Sequence, residues 1–348
     1  MEKRRLKLPI GFQAFEELRT EGFFLVNMKK IFYLLVIGIF ALAGCDKGED
    51  IFTNETGCDK NKDELTKEPG LEIIAPTSDG FWLKMGDNTV VPPSDIDFYD
   101  VSTHIIYLKK TLPYLKNIGF GSGLMTVNVG KDEIYKCSFH SSLSSSLPQG
   151  AYVRTPPFNK EDIIRISFMQ FLNEDFEPKF TDPRNDERII EALKKYGQYH
   201  EGLHCEIRSC NYSDGKLVFN IVLSNTDTFD YYHLDISKMG LGLFHYFTNG
   251  PTFWNFRQMQ SYTHQETVIH PTPWNDWKKE WLSLIKSGES KNISITYNHF
   301  ERMPEGQYRI YFQFPGLNYG ISQKDLVLKD GRIWMGSIDI EEDYEIKY

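Results

Sequence analysis

The sequence lacks two short strings that mark common enzyme classes. No Gly-x-x-x-x-Gly-Lys-Ser/Thr loop occurs in its 348 residues, so the chain has no P-loop of backbone amides and lysine to hold nucleotide phosphates. No Gly-x-Ser-x-Gly elbow occurs either, which leaves serine-hydrolase chemistry without its usual nucleophile turn. The sequence therefore gives no indication of either enzyme class.

Positive charge and cysteine are also scarce. There are 39 Lys and Arg against 48 Asp and Glu, a net charge of −9 at pH 7. Because binding to a phosphate backbone requires clustered cations, we expect no nucleic-acid partner. Of the five cysteines, Cys205 and Cys210 are close enough in sequence for a local disulfide, and two small apolar side chains are the alternative.

Long apolar runs are missing as well. The run from Ile31 to Ala43 is shorter than the roughly 20 residues needed to cross a bilayer. Lys29 and Lys30 precede it, and the small residues Ala43 and Gly44 stand directly before Cys45. This order of cationic, apolar and small residues predicts a secretory signal peptide over residues 28–44 rather than a membrane span.

The stretch from Leu42 to Cys45 resembles the lipobox of bacterial lipoproteins. The resemblance implies cleavage before Cys45, lipidation of that residue and anchoring in the bacterial cell envelope, most naturally at the outer membrane. A plain secretory signal followed by a chance cysteine is the alternative. The next residues, "CDKGED", resemble a surface-export tag of Bacteroidetes lipoproteins, although a polar linker would look the same. We expect residues 45–70 to be a flexible acidic tether.

Residues 1–27 precede what reads as a complete export signal. Within them "LPIGFQAFEELRTEGFFLV" resembles the amino-terminal segment of a bacterial AAA-ATPase-like family. No ATPase motif follows, so none of that family's activity is transferred to this chain. We interpret residues 1–27 as a fused or non-native extension and Met28 as the working start of translation.

The rest of the chain alternates short β-branched and aromatic runs with Pro, Gly, Ser and Asp clusters, which predicts a mainly β fold. We expect two β-sandwich-like domains, over residues 71–183 and 203–348, joined by a linking helix and loop over residues 184–202. The helix is predicted from "NDERIIEALKKYG", whose apolar residues recur at helical spacing. In the second half, "LVFNIVLSNTDTFDYY", "IKSGESKNISITYNHF" and "MPEGQYRIYFQFPG" resemble the strand and turn layout of bacterial immunoglobulin-like domains. That resemblance implies an immunoglobulin-like carboxyl-terminal domain.

The string His200-Glu201-Gly202-Leu203-His204 fits His-Glu-x-x-His. On a helix, the two histidines would bind zinc from one face, and Glu201 would polarise a water molecule. Gly202 disfavours a helix at this point, and no third ligand is evident. A zinc-dependent hydrolase is therefore the alternative function, and an interdomain loop without chemistry is the other interpretation.

Three tryptophans, Trp274, Trp277 and Trp281, are spaced as one face of a short helix. Indole rings on a surface can stack on sugars, but a stripe of this kind also packs against a sheet. We expect a lipid-anchored, non-catalytic protein without a cofactor that presents a binding or scaffolding surface to a protein or a glycan. Three aspartates, Asp95, Asp97 and Asp100, lie close together in the sequence. They could bind calcium as a carboxylate cluster, or they could simply be solvated.

Overall fold

The computed structural model describes residues 79–118, 123–155, 160–170, 181–318 and 321–347. Over these residues the protein is mainly β, as predicted, with 21 strands and five short helices. None of these helices is both long enough and apolar enough to span a membrane. The helices are α1 (Pro113–Ile118), α2 (Glu187–Lys195), α3 (Ile236–Met239), α4 (Leu241–Phe247) and α5 (Gln323–Leu326).

The first ten strands form two sheets. Six strands are ordered β2-β1-β5-β6-β7-β9, and four are ordered β10-β3-β4-β8. Most neighbours are antiparallel, but β6 pairs with β7 and β10 pairs with β3 in parallel. These strands are β1 (Phe81–Met85), β2 (Val90–Val91), β3 (Ile96–Asp100), β4 (Ile105–Leu108), β5 (Gly123–Val129), β6 (Asp132–Ser141), β7 (Gly150–Thr155), β8 (Ile163–Arg165), β9 (Ser167–Met169) and β10 (Tyr199–His200).

The remaining strands form three sheets, ordered β11-β12-β17, β16-β13-β20-β19 and β15-β14-β18-β21. The first and third pack against each other, since the rings of Phe219 and Phe312 meet edge to face at 5.0 Å. The strands are β11 (Leu203–Ser213), β12 (Lys216–Asn225), β13 (Tyr231–Leu234), β14 (Thr252–Asn255), β15 (Gln260–Tyr262), β16 (Leu282–Ile285), β17 (Ser290–Tyr297), β18 (Gly306–Pro315), β19 (Val327–Leu328), β20 (Gly331–Ile333) and β21 (Ser337–Ile346).

Helix α2 is the helix predicted from its apolar spacing. The side chain of Asp186 caps it by accepting a hydrogen bond from Arg188 N at 3.0 Å. Ile189 and Leu193 are fully buried among the apolar side chains of β1–β9, which we call the N-terminal core. The helix ends before Gly197, whose φ of 65° lies in the left-handed region that favours glycine.

The sheet containing β3, β4 and β8 is buried on both faces. On one face, Phe98, Ile105 and Tyr107 pack into the buried apolar residues of β11–β21, which we call the C-terminal core. On the other face, Tyr99 and Ile106 belong to the N-terminal core. Each fully buried side chain of this size stabilises the fold by roughly 1.5–3 kcal/mol. This sheet therefore contributes several kcal/mol to each core and is shared between them.

Polar contacts also tie β8 and its flanking residues to the carboxyl-terminal half. Asp162 Oδ2 accepts hydrogen bonds from Ser322 Oγ at 2.9 Å and from Gln323 N at 3.1 Å. The guanidinium of Arg165 donates to Ser337 Oγ at 2.9 Å. Because these partners are more than 150 residues apart in sequence, these bonds depend on the tertiary fold.

Candidate functional site

Helix α4 carries the first part of the candidate site. It begins after Gly240, whose φ of 76° suits glycine and whose carbonyl accepts a hydrogen bond from Phe244 N at 3.0 Å. Phe244 and His245 are buried, whereas Tyr246 and Phe247 are only half-buried. Phe247 also packs against the C-terminal core, so the helix is fixed by Phe244 and Phe247, and the half-buried ring of Tyr246 is left to contact the following segment.

The chain that carries the three tryptophans is not the predicted helix. Asp276 N donates to Pro273 O at 2.9 Å, which closes a turn, and Lys279–Trp281 form a single turn of 3-10 helix. Pro273 lacks a backbone N–H, and Asn275 favours turns, so the chain does not start a helix here. The prediction of a short helix was wrong for this local reason.

The three indoles consequently do not share one face. Trp274 is 46% exposed. Trp277 is half-buried against the C-terminal core, and Trp281 is half-buried with its ring 6.1 Å from that of Phe247. Of the three predicted binding residues, Trp274 is the most exposed to solvent. The other two pack against the C-terminal core and against Phe247 of α4.

Two exposed aliphatic side chains lie in the same segment as Trp274. Ile269 is 57% exposed and Val268 is 38% exposed. Ile269 N donates to Gly242 O at 2.9 Å, and Tyr246 Oη donates to Trp274 O at 2.6 Å, so the segment is docked on α4. The ring of His270 lies 5.3 Å from that of Tyr246. We use the term aromatic surface for Tyr246, Val268, Ile269, His270 and Trp274.

Charged side chains follow Trp274 closely in the sequence. Lys278 Nζ lies 5.9 Å from the ring centre of Trp281, and Lys279 Nζ lies 5.9 Å from that of Tyr232. Glu280, between these lysines and Trp281, is exposed. Exposed charged groups thus lie within seven residues of the exposed indole of Trp274, and such groups would allow polar recognition beside stacking.

A buried imidazole on α4, that of His245, stacks on the ring of His264. The rings of His245 and His264 are 4.0 Å apart and nearly parallel, and both lie within 5.4 Å of the ring of Tyr297. Burial, with a smaller contribution from His264, lowers the pKa of His245 to about 3. His245 is therefore neutral at physiological pH. A Cβ on Gly250 would lie 2.7 Å from the His264 ring, so the following loop closes tightly on the stack.

The His-Glu-x-x-His string does not form a helix. Strand β10 ends at His200, β11 begins at Leu203, and Gly202 between them has a φ of 71°. Glu201 and His204 are exposed. The one-turn spacing on which the zinc alternative depends is therefore not present. Among the described residues, no three His, Cys, Asp or Glu side chains are grouped so that they could hold a metal ion.

His200 instead belongs to a buried polar cluster centred on Asp227. The Asp227 carboxylate accepts hydrogen bonds from His200 Nδ1 at 2.7 Å, Tyr231 Oη at 2.8 Å and Gly202 N at 3.0 Å. Burial alone would raise the pKa of Asp227, but the bonds from His200 and Tyr231 outweigh it and lower the pKa to about 2. Because Asp227 is ionised, the proton of the shared bond resides on His200 Nδ1. The cluster fixes the β10–β11 turn against β13.

Asp100 lies beside this cluster on β3, opposite His200 on β10. Its Oδ1 accepts hydrogen bonds from Ser102 N at 2.9 Å and Ser102 Oγ at 2.6 Å, while its buried Oδ2 has no hydrogen-bond partner among the described residues. Burial raises the pKa of Asp100 to about 6, and the nearby charge of Asp227 adds to the effect. The expected cluster of Asp95, Asp97 and Asp100 is not found among the described residues. Asp95 pairs with Lys110, and Asp97 accepts a hydrogen bond from the side chain of Gln323.

A buried cation completes the polar cluster. The guanidinium of Arg332 lies 4.3 Å from the ring centre of Phe98, 5.1 Å from that of Tyr107 and 5.5 Å from that of Phe229. The rings of Phe229 and His200 are stacked at 3.9 Å. Arg332 is thus enclosed by aromatic faces, and each of these contacts is typically worth about 0.5–2 kcal/mol.

No family model and no curated protein matches this sequence. The candidate site therefore rests on the geometry of the chain itself.

The cysteine predictions have separate outcomes. Cys205 and Cys210 both lie on the continuous strand β11 and are free thiols, so the disulfide predicted between them is not formed. An extended strand holds residues five apart too far from each other for a disulfide. Cys45, the predicted lipidation site, lies outside the described residues.

Proposed function

We propose that this protein is a lipid-anchored protein of the bacterial envelope that binds a glycan, without catalysis, through the aromatic surface. The observation that carries the proposal is the joint exposure of Trp274, Ile269 and Val268 on a segment docked to α4. Contiguous exposed apolar side chains with a polar rim are typical of binding sites. Scattered exposed side chains would need no such explanation.

A glycan fits this chemistry better than a wholly apolar partner does. Sugar rings present C–H faces that stack on an indole such as Trp274, and hydroxyl groups that bond to charged side chains such as Lys278 and Glu280. All three side chains are exposed and lie within seven residues of each other. The acidic chain, with its net charge of −9, favours a neutral or cationic glycan over a highly anionic one.

The anchoring part of the proposal is supported by sequence alone. A signal peptide over residues 28–44, lipid on Cys45 and an acidic tether over residues 45–70 would hold the β region away from an outer membrane. Two or more acyl chains give durable anchoring, because each buried methylene contributes about 0.8 kcal/mol. As part of the same proposal, the β domains cover residues 71–183 and 203–348, the second of them immunoglobulin-like.

Glycan binding is tested with an array of bacterial and host polysaccharides, followed by calorimetry with the best oligosaccharide. Trp274→Ala should weaken binding about tenfold or more, because truncating a central aromatic contact costs roughly 1–2 kcal/mol or more. Ile269→Ser should also weaken it. Leu124→Ser, which removes a similarly exposed aliphatic side chain on β5, is the control and should bind normally.

An array without signal, or equal binding by the wild type and Trp274→Ala, refutes glycan binding at this surface. The anchor has its own test, in which incorporation of labelled palmitate should disappear in Cys45→Ala. Labelling that persists in that variant refutes lipidation at this residue. The two experiments are independent, so either part of the proposal can fail without the other.

A further inference from the structure

Strand β17 is an open edge of the β11-β12-β17 sheet. Among the described strands it pairs only with β12, and the register runs from Leu217 opposite Tyr297 to Ser224 opposite Ser290 without a shift. At the end of this ladder, Asn225 N donates to Glu289 O at 2.9 Å. The Glu289 carbonyl therefore faces β12. Because backbone groups alternate in direction along an antiparallel strand, the residue after Glu289 and every second residue from there point their N–H and C=O away from β12. These are Ser290, Asn292, Ser294 and Thr296.

The outward groups have no hydrogen-bond partner in the part of the chain that the structure describes. The side chains of the same four residues are exposed. An unpaired edge of this length is a template for another strand, and proteins usually protect such edges. An edge strand that lacks such protection is available to pair with a further strand.

The other two long edge strands of this half are protected. β11 has an irregular register between Ile207 and Ser209, and its Cys210 carbonyl accepts a hydrogen bond from Tyr344 Oη at 2.9 Å. β21 carries five acidic side chains over its ten residues. β17 has neither a bulge nor an acidic residue, and the amino group of its one lysine, Lys291, donates to the carbonyl of Leu284.

We propose that β17 pairs with β17 of a second copy of this chain, antiparallel about a two-fold axis at Ile293. This register places Asn292 opposite Ser294 and Ser290 opposite Thr296, so each outward backbone group meets an outward group. About eight backbone hydrogen bonds result. Two three-stranded sheets become one six-stranded sheet across the interface.

The side chains fit this register. Short hydroxyl and amide groups face each other on the exposed side, where they can form hydrogen bonds across the strands. On the other side, Lys291 meets Ile295 rather than another lysine, and Ile293, which is only half-buried in one copy, meets its equivalent. No like charges lie directly opposite each other, which is the main requirement for self-pairing.

The dimer should be weak and should tighten with salt. One pair of eight-residue strands buries less than the roughly 1,200 Å² of a standard stable interface, so a micromolar-range rather than nanomolar dissociation constant is expected. Each copy also carries a net charge of −9, and this repulsion is screened within about 8 Å at physiological ionic strength.

Sedimentation velocity of the full chain between about 5 and 300 µM tests the proposal, over a range set around a micromolar dissociation constant. The weight-average mass should rise with protein concentration and with salt. The paired variant Asn292→Lys with Ser294→Lys puts lysines opposite each other across the axis and should remain monomeric. Asn211→Lys with Ser213→Lys changes the charge equally on exposed residues of β11 and is the control, which should dimerise.

A charge-swap mixture makes the test specific for this register. Asn292→Glu with Ser294→Glu should also be monomeric alone, but mixing it with the dilysine variant should restore a dimer at least as tight as the wild type. A wild type that is monomeric at the highest concentration overturns the proposal. A dimer that survives in the dilysine variant, or a mixture that does not associate, overturns it as well.

Discussion

Replacing Asp100 by asparagine should change the stability of the protein in a pH-dependent way, with the variant gaining relative to the wild type as the pH rises from 4 to 7. The carboxyl group is fully buried, and its pKa is raised by burial from 3.8 to about 6. The folded state therefore favours the protonated acid. Its stabilising contribution is complete below the unfolded pKa and is lost as the pH rises through about 6. Asparagine is similar in shape and does not ionise, so it removes this loss.

The size of the effect follows from the shift in pKa. A difference of about two units between the folded and unfolded states corresponds to about 3 kcal/mol when fully expressed, and to about 2 kcal/mol between pH 4 and pH 7. The predicted quantity is the change with pH of the difference in unfolding free energy between the variant and the wild type. An unpaired amide N–H at the position of Oδ2 adds its own cost of roughly 1–3 kcal/mol, but at every pH alike.

Urea unfolding at pH 4, 5.5 and 7 measures this change directly. The difference in unfolding free energy between Asp100→Asn and the wild type should move in favour of the variant by about 2 kcal/mol from the lowest to the highest pH. Asp214→Asn, which removes a carboxylate from an exposed turn, is the matched control. Parallel pH profiles for the wild type and Asp100→Asn would refute the reasoning.

Two further predictions concern acid stability and the β10–β11 turn. Burial lowers the pKa of three histidines to about 3–4, namely His104, His233 and His245. The folded state therefore favours the neutral rings, and the free energy of unfolding should fall by several kcal/mol as the pH drops from 6.5 towards 4. Urea unfolding measures this change, and a free energy of unfolding that does not vary with pH would contradict it. Gly202→Ala should cost more than about 3 kcal/mol, because φ is 71° and the new Cβ would lie 2.4 Å from Asp100 Oδ1, whereas Gly197→Ala, with open space around it, should cost about 1 kcal/mol. Thermal unfolding compares these two variants, and equal losses would exclude the steric contribution.

Local patterns predicted part of this structure. The 3.6-residue spacing of Ile189 and Leu193, with a capping Asp186 and a glycine after the end, located α2 from the sequence. Alternating β-branched and aromatic runs likewise indicated a mainly β chain. These features succeed because they depend on neighbours a few residues away.

Features that depend on distant contacts were missed or misassigned. The pairing of His200 with Asp227 spans 27 residues, and the confinement of Arg332 by Phe98 spans more than 200. The His-Glu-x-x-His pattern has helical spacing, but Gly202 turns the chain where Asp100 comes close. No periodicity in the sequence carries that information, although a glycine inside a supposed zinc-binding helix was a signal against it.

The sheet shared by the two cores has a consequence for how the protein tolerates damage. A fragment that ends before β11 would leave Phe98, Ile105, Tyr107 and Ile163 facing water, a ready nucleus for aggregation. Proteolysis or a severe mutation in either half would therefore disturb the other half as well. The described region should melt in one transition with equal calorimetric and van't Hoff enthalpies.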